Sequence, residues 1–313
     1  MALKIIIAVL ILLPAVYIQI NMYLFKTAFS RTKTATREKE RQEEAFDQLS
    51  PKHQSMHEKG QKWLAATPRE AVLIKSYDSL TLCGKLYPAK NAKKTIILFH
   101  TYRSTAQTDF APIAPYFHEL GLNVLLVDQR AHAQSEGRFI CHGIKERYDC
   151  LEWTEFVRTR YGKDHEIYLG GISMGATTVL LAAGLNLPKN VKGIIADTAY
   201  TSCKDIMYES AQRSRLKHVQ KLVLPSLCQL CLWIARFRPN AANTVVVMKN
   251  NKIPVLFIHA QNDDLVPEDM TINAYEACAA PKELYVASGA GHGLSYLSHK
   301  TECQQMLKRF LGV

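Results

Sequence analysis

From residue 70 onward, short apolar runs alternate with segments of helical periodicity. No other feature of the chain restricts its fold so tightly. The runs are "TIILFH" (95–100), "NVLLVD" (123–128), "EIYLGG" (166–171), "VKGIIAD" (191–197), "PVLFIHA" (254–260) and "KELYVA" (282–287). A strand wetted on one face alternates apolar and polar residues, whereas a strand apolar throughout is covered on both. That is the condition of a mainly parallel sheet flanked by helices, an α/β fold. The intervening segments predict helices near 108–120 and 144–161, from Met174, near 267–279 and near 295–311. "AVLIKSYDSLTLCGKLYP" reads as a hairpin around Asp78-Ser79 and adds antiparallel strands at one edge. With 313 residues, 48% of them hydrophobic, the chain can fill such a core. In open sheets of this kind the chemistry collects at the carboxyl ends of the strands.

Residues 201–252 break the rhythm. They hold apolar helices ("KLVLPSLCQLCLWIARF") and no strand-like run, and a structureless loop of that length is uncommon. The segment reads as a small helical cap inserted over the active edge, with 222–237 lying over the site and accepting an acyl chain. Cys228 and Cys231 form a CxxC, but inside an apolar helix they read as packing. The eight cysteines are scattered and read as reduced core residues rather than a disulfide framework.

At the front, residues 5–25 run 21 positions without a charge. As a helix they would span roughly 30 Å, the thickness of a hydrocarbon core. A cleaved signal peptide is the rival reading, but no A-x-A-like site follows the run. The expectation is a transmembrane anchor over 1–26, a charged helical stalk over 27–66 and a catalytic domain over 67–313. Lys26, Arg31, Lys33, Arg37, Lys39 and Arg41 follow the run and only Lys4 precedes it, so the positive-inside rule puts the domain in the cytoplasm.

The formal charge is +11, from 39 Lys plus Arg against 28 Asp plus Glu. Without a zinc-finger spacing, an RNA-binding signature or a basic run with interleaved aromatics, this excess does not point to nucleic acid. His100, His132 and His259 are too dispersed for a metal set and read as strand-end or loop histidines. Neither a metal nor a cofactor is implied.

"LGGISMGATTVLLAAG" places Ser173 between Gly171 and Gly175 where a strand hands over to a helix. This is the context of a nucleophile elbow, a turn too tight for bulk two residues before or after the serine. The plainer reading is a serine N-cap. The partners decide between them. His292, in "VASGAGHGLSY" after the last strand, supplies a base, and Asp263 or Asp264, in "FIHAQNDDLVP", supplies an acid to orient it. The order Ser, Asp, His is the one expected on this architecture. One oxyanion donor is the N–H of Met174. The other comes from "HTYRST" (100–105), with Tyr102 as the choice and Thr101 as the alternative.

With "SYDSLTLCGKLYP", "LFHTYRST", "NVLLVDQRAHAQSEGRFI", "LGGISMGATTVLLA", "IIADTAYTS", "VLFIHAQNDDLVP" and "SGAGHG", the chain resembles the α/β-hydrolase superfamily over about residues 63–313. Within it the likeness is to the membrane-anchored bacterial branch related to serine aminopeptidase and dipeptidyl-peptidase-like domains. In that family's acid motif two residues separate the aspartate from Val-Pro, which selects Asp263 over Asp264. The chain departs from the family at three places: His100-Thr101 replaces His-Gly, Ala133 replaces the glycine of "RAHG", and Ser79 replaces the glycine of the hairpin. The resemblance implies acyl transfer to serine from a carboxylic ester, a thioester or a short peptide. A serine esterase is the leading reading. A peptidase of the aminopeptidase or dipeptidyl-peptidase type and a non-catalytic binding protein on the same fold are the alternatives. Against the peptidase, the cap sets Asp205 and Glu209 against Arg213, Arg215, Lys217, Lys221, Arg236 and Arg238, a poor receptor for a cationic amino terminus.

Overall fold

The computed structural model describes residues 1–31 and 46–313. Eight strands form one sheet: β1 (Glu70–Lys75), β2 (Thr81–Tyr87), β3 (Lys94–Phe99), β4 (Asn123–Val127), β5 (Glu166–Ile172), β6 (Val191–Asp197), β7 (Val255–Ala260) and β8 (Lys282–Ala287). Their order across the sheet is β1-β2-β4-β3-β5-β6-β7-β8. β1 and β2 pair antiparallel, as do β2 and β4, and the remaining pairs are parallel. Each predicted strand is present to within a residue or two, and the predicted hairpin turns at Ser79, which itself takes a φ of 69°.

Period-two geometry splits every central strand between two cores. Ile97, Phe99, Leu125, Val127, Leu169, Ile194 and Phe257 face a layer that includes Trp153, Val157, Val179 and Leu180. Ile96, Leu98, Val124, Leu126, Tyr168, Ile195 and Ile258 face Leu64, Phe110, Phe117, Leu307 and Leu311. Burial on both faces is why the strands read as continuous apolar runs.

The helices, in chain order, are α1 (Ala2–Phe29), α2 (Pro51–Ala66), α3 (Ala106–Phe110), α4 (Ala114–Glu119), α5 (Glu146–Tyr161), α6 (Met174–Ala182), α7 (Cys203–Gln212), α8 (Gln220–Trp233), α9 (Thr244–Met248), α10 (Glu268–Ala277), α11 (Ser295–Ser298) and α12 (Lys300–Leu311). The helix expected near 108–120 is two short ones. Pro112, lacking an N–H and restricting the residue before it, stands between them. The last helix is likewise divided, at His299.

Among the described residues no helix is long and apolar enough to cross a membrane. This overturns the anchor expected over residues 1–26, membrane attachment through it, and the single-pass localisation with a cytoplasmic catalytic domain. The physical reason is visible in α1. Pro14, Gln19, Asn21 and Lys26 interrupt its apolar character, and its second half is spent on protein contacts. Asn21, Phe25 and Phe29, at i, i+4 and i+8, form a buried stripe. The two phenylalanines pack with Val223, Leu227, Cys231 and Phe237, and the Tyr17 hydroxyl sits 2.6 Å from Ser226 Oγ on α8.

Residues 32–45, with most of the charges read as a stalk, lie outside the described residues. α2 packs along the domain: Gly60 lies so close to the Ala111 carbonyl that a Cβ would stand 1.9 Å from its oxygen, and Trp63 stacks on Tyr87 at 5.6 Å.

Candidate functional site

Ser173 follows the last residue of β5 and precedes α6. Its backbone, at φ 53° and ψ −113°, is in a region that costs a non-glycine residue about 1–3 kcal/mol. The distortion is held from both sides: Ser173 N–H donates to the Asp197 carbonyl at 2.8 Å, and its own carbonyl accepts from Thr177 N–H at 2.9 Å. Its side chain makes no capping hydrogen bond to the helix. The flanking glycines are there for space. A Cβ on Gly171 would stand 2.3 Å from the Gly175 carbonyl carbon, and one on Gly175 would stand 1.8 Å from the Phe99 oxygen.

His292 lies in the loop after β8. Gly293 seats this loop against the residue preceding the serine, with a Cβ position 3.6 Å from Ile172 Cγ2. His292 Nδ1 stands 2.6 Å from Asp263 Oδ2, so Nδ1–H donates and Nε2 is left as the acceptor. Asp263 Oδ1 accepts from the N–H groups of Leu265 and Val266, each at 2.8 Å. Burial opposes the charged carboxylate, but the His292 hydrogen bond and charge and the two N–H groups outweigh it and hold the pKa below the usual range. Asp264 is exposed. Ser173 and His292 follow the carboxyl ends of β5 and β8, with no hydrogen bond between their side chains.

The loop after β3 is built by its neighbours. Asp109 accepts from Thr101 N–H at 2.6 Å and from Ser104 Oγ. His100 donates from Nδ1 to the Thr101 carbonyl (2.7 Å) and accepts at Nε2 from Gln129 N–H (3.0 Å). The Gln129 side chain donates to the His100 carbonyl at 2.6 Å and accepts from Thr178 of α6 at 3.0 Å, tying this loop to the serine's helix. His132 Nε2 accepts from Arg103 N–H at 3.0 Å. His259 pairs with Thr271 at 2.9 Å. Each of the three histidines thus has its own structural partner, and among the described residues no cluster of side chains could hold a metal ion.

A cavity of about 910 Å³ opens beside His292. Its walls include Phe46, Leu49, His57, Thr101, Ile172 and Leu297. None of its lining comes from residues 201–252, which were expected to overlie the site. The buried face of α8 turns instead to α1.

Asp197 was not singled out from the sequence. It ends β6, its carbonyl holds Ser173, and its buried carboxylate accepts at 2.9 Å from Oγ of Ser295, the first residue of α11, which follows the loop that carries His292. Burial pushes its pKa up to about 6, with the Ser295 hydroxyl and the His292 charge opposing and Asp263 adding to the rise. The available signal was a carboxylate closing a strand whose only other charge is the exposed Lys192, in "VKGIIAD".

The family model described as serine aminopeptidase, S33, matches residues 90–230. The chain is 30% identical over 195 residues to the uncharacterized protein YqkD of Bacillus subtilis, an alignment covering 62% of this chain and 64% of that one. It is 23% identical over 267 residues to the polyketide transferase grgF of a Penicillium species, covering 72% and 90%. The chain thus spans less than two thirds of the Bacillus relative's length. The structure of the Pyrococcus furiosus esterase Pf2001 superposes with a TM-score of 0.63 at 22% identity, covering 79% of this chain and 93% of that one. With its sheet order, the serine turn at the end of β5 and these likenesses, the chain has the α/β-hydrolase fold.

Proposed function

We propose that the protein is a serine hydrolase that cleaves carboxylic esters through an acyl-serine intermediate. The observation that carries this reading is the state of Ser173. It occupies a strained backbone conformation, its hydroxyl is not used to cap the helix, and the glycines on either side have no room for a Cβ. Strain of this kind persists only where the surroundings impose it, and it concentrates at functional sites.

In the proposed reaction Ser173 Oγ attacks the carbonyl carbon while His292 Nε2 takes its proton. Asp263 holds the imidazole in the tautomer this requires and balances the imidazolium. The N–H groups of Met174, in the first turn of α6, and of Tyr102 receive the developing oxyanion. Tyr102 is preferred to Thr101 because the Thr101 amide is given to Asp109. The ester carbon–oxygen bond breaks, and the leaving alkoxide takes the proton from His292. A water then attacks the acyl-serine with His292 again as base, releasing the acid. The Ser173–His292 contact belongs to the substrate complex, since catalytic hydrogen bonds are often long before substrate binds.

The cavity beside His292, bounded by both apolar and polar side chains, supports a substrate with an acyl chain. The esterase named for the Pyrococcus structure is consistent with this. The S33 family description favours a peptidase as the second reading, and Asp47 on the cavity wall is a carboxylate that could meet an amine. A panel of p-nitrophenyl esters of graded chain length, run beside aminoacyl amides, separates the two. Turnover of esters and labelling of Ser173 alone by a fluorophosphonate are expected. A folded protein that resists the probe overturns the reading.

A further inference from the structure

The inference drawn here rests on the serine-hydrolase reading and concerns what places its second oxyanion donor. The last carbonyls of a helix have no partner within it. Those of α1 are met by the catalytic domain. Tyr102 Oη donates to the Ala28 carbonyl at 2.8 Å. The Arg103 guanidinium donates to the carbonyl of Thr27 and, at 3.2 Å, to that of Ser30. Ile140 N–H donates to the Phe29 carbonyl at 2.7 Å. A cation at this end of a helix also meets the negative end of its dipole.

The same two side chains are locked to each other. Arg103 Nε donates to Tyr102 Oη at 2.6 Å, and the guanidinium lies 5.1 Å from the centroid of the tyrosine ring. Tyr102 stacks on His142 with ring centroids 5.0 Å apart, and His142 meets the edge of Phe29 at 5.5 Å. The backbone beneath them is strained: Arg103 has a φ of 57°, a conformation that a long side chain keeps only when its neighbours over-determine it.

We propose that the carboxyl end of α1 sets the oxyanion loop. Arg103 and the Tyr102 side chain are positioning residues. Through them the carbonyls of Thr27, Ala28 and Ser30 fix where the Tyr102 N–H points, which makes the N-terminal helix a working part of the hydrolase site. An oxyanion donor acts only within about 2.7–3.1 Å of the charge that forms, so a small displacement of the loop lowers turnover. Tyr102 and Arg103 themselves do not line the cavity beside His292, so KM is expected to change less than kcat.

The test uses the full chain with Arg103→Met, Arg103→Lys and Tyr102→Phe. Each is assayed for p-nitrophenyl butyrate hydrolysis, fluorophosphonate labelling rate and thermal midpoint. Arg103→Met is expected to lower kcat and the labelling rate at least about tenfold, toward the roughly 10²-fold loss of a complete donor, with KM within about twofold. Arg103→Lys recovers part of the loss, because an ammonium still donates to the Thr27 carbonyl. Wild-type turnover together with unchanged kcat and labelling in Arg103→Met overturns the inference and leaves the hydrolase reading standing. A folded wild type that takes neither ester nor probe overturns both. If Arg103→Met does not fold, Tyr102→Phe decides, since it loses one hydroxyl and little volume. Full kcat in that variant overturns the inference.

Discussion

Two glycine-rich stretches meet at the site, and they use glycine for opposite reasons. In the serine turn, Gly171 and Gly175 are pressed against backbone, with Cβ positions 2.3 Å from Gly175 C and 1.8 Å from Phe99 O. In the histidine loop, Gly289 has nothing within 4 Å of its Cβ position and a φ of +71°, and Gly293 has a φ of +68° with its nearest neighbour at 3.6 Å. The first pair is a matter of volume and the second a matter of dihedral angle. The difference suits the proposed roles. The nucleophile must sit rigidly between a strand and a helix, while the loop carrying its base has space in which to adjust.

The largest effects belong to the serine turn. Gly175→Ala drives a methyl into the Phe99 carbonyl, where only backbone can move, so a loss of about 3 kcal/mol or more is expected. Little folded protein should be recovered, as measured by soluble yield and denaturant midpoint. A normally stable Gly175→Ala protein would break the volume side of the comparison. Ser173→Ala comes next and acts on chemistry alone: kcat falls on the order of 10⁴-fold while the fold is kept, and His292→Ala in the same protein adds little. Ser173→Gly, equally inactive, should be more stable than Ser173→Ala by about 1 kcal/mol because it relieves the positive φ.

The elements that could be read from the chain are those whose physics is local. β3 through β7 are buried on both faces, so each leaves a continuous apolar run, and the Gly-x-Ser-x-Gly spacing carries its own steric logic. α1 shows the converse. A long apolar run looks the same whether lipid or protein covers it, and only the buried stripe of Asn21, Phe25 and Phe29 against α8 tells which contact is made. Tyr102 and Arg103 bind backbone carbonyls of α1, acceptors that every residue type offers, so no pattern announced that contact. Asp197 was hidden for a related reason. Its partners Ser173 and Ser295 come from two other strand ends, and no fixed spacing links them.

Asp197 also joins the two stretches, one through its carbonyl and the other through its carboxylate. Its folded pKa of about 6 lies above the unfolded aspartate value. Its relative contribution to stability is therefore fully present below about pH 4 and lost as pH rises through about 6. Asp263 is lowered, so its contribution is present above the unfolded value and lost only as pH falls through its folded pKa, in a more acidic window. Denaturant midpoints from pH 4 to 7 should show a decline between about pH 4 and 6 that levels off above about 6 in the wild type and is absent in Asp197→Asn. Superimposable profiles would mean that Asp197 does not titrate there and that the joint between the two stretches is electrically silent.

The smallest effect is the sharpest test of the comparison, because it asks for a reversal of order rather than a size. At Gly289 the obstacle is the left-handed dihedral, which costs an alanine roughly 1–2 kcal/mol and an asparagine less, since its short amide bonds locally in that region. The site is exposed and has open space, so the extra atoms of asparagine meet nothing. Gly289→Asn should therefore be milder than Gly289→Ala, with the alanine variant melting only a few degrees lower and kcat changing less than about threefold. At Gly175 the same two substitutions should rank the other way, because every added atom deepens the collision with the Phe99 carbonyl. Thermal midpoints of the four variants decide it. If asparagine is worse than alanine at Gly289, the loop glycine is present for space after all and the distinction between the two stretches fails.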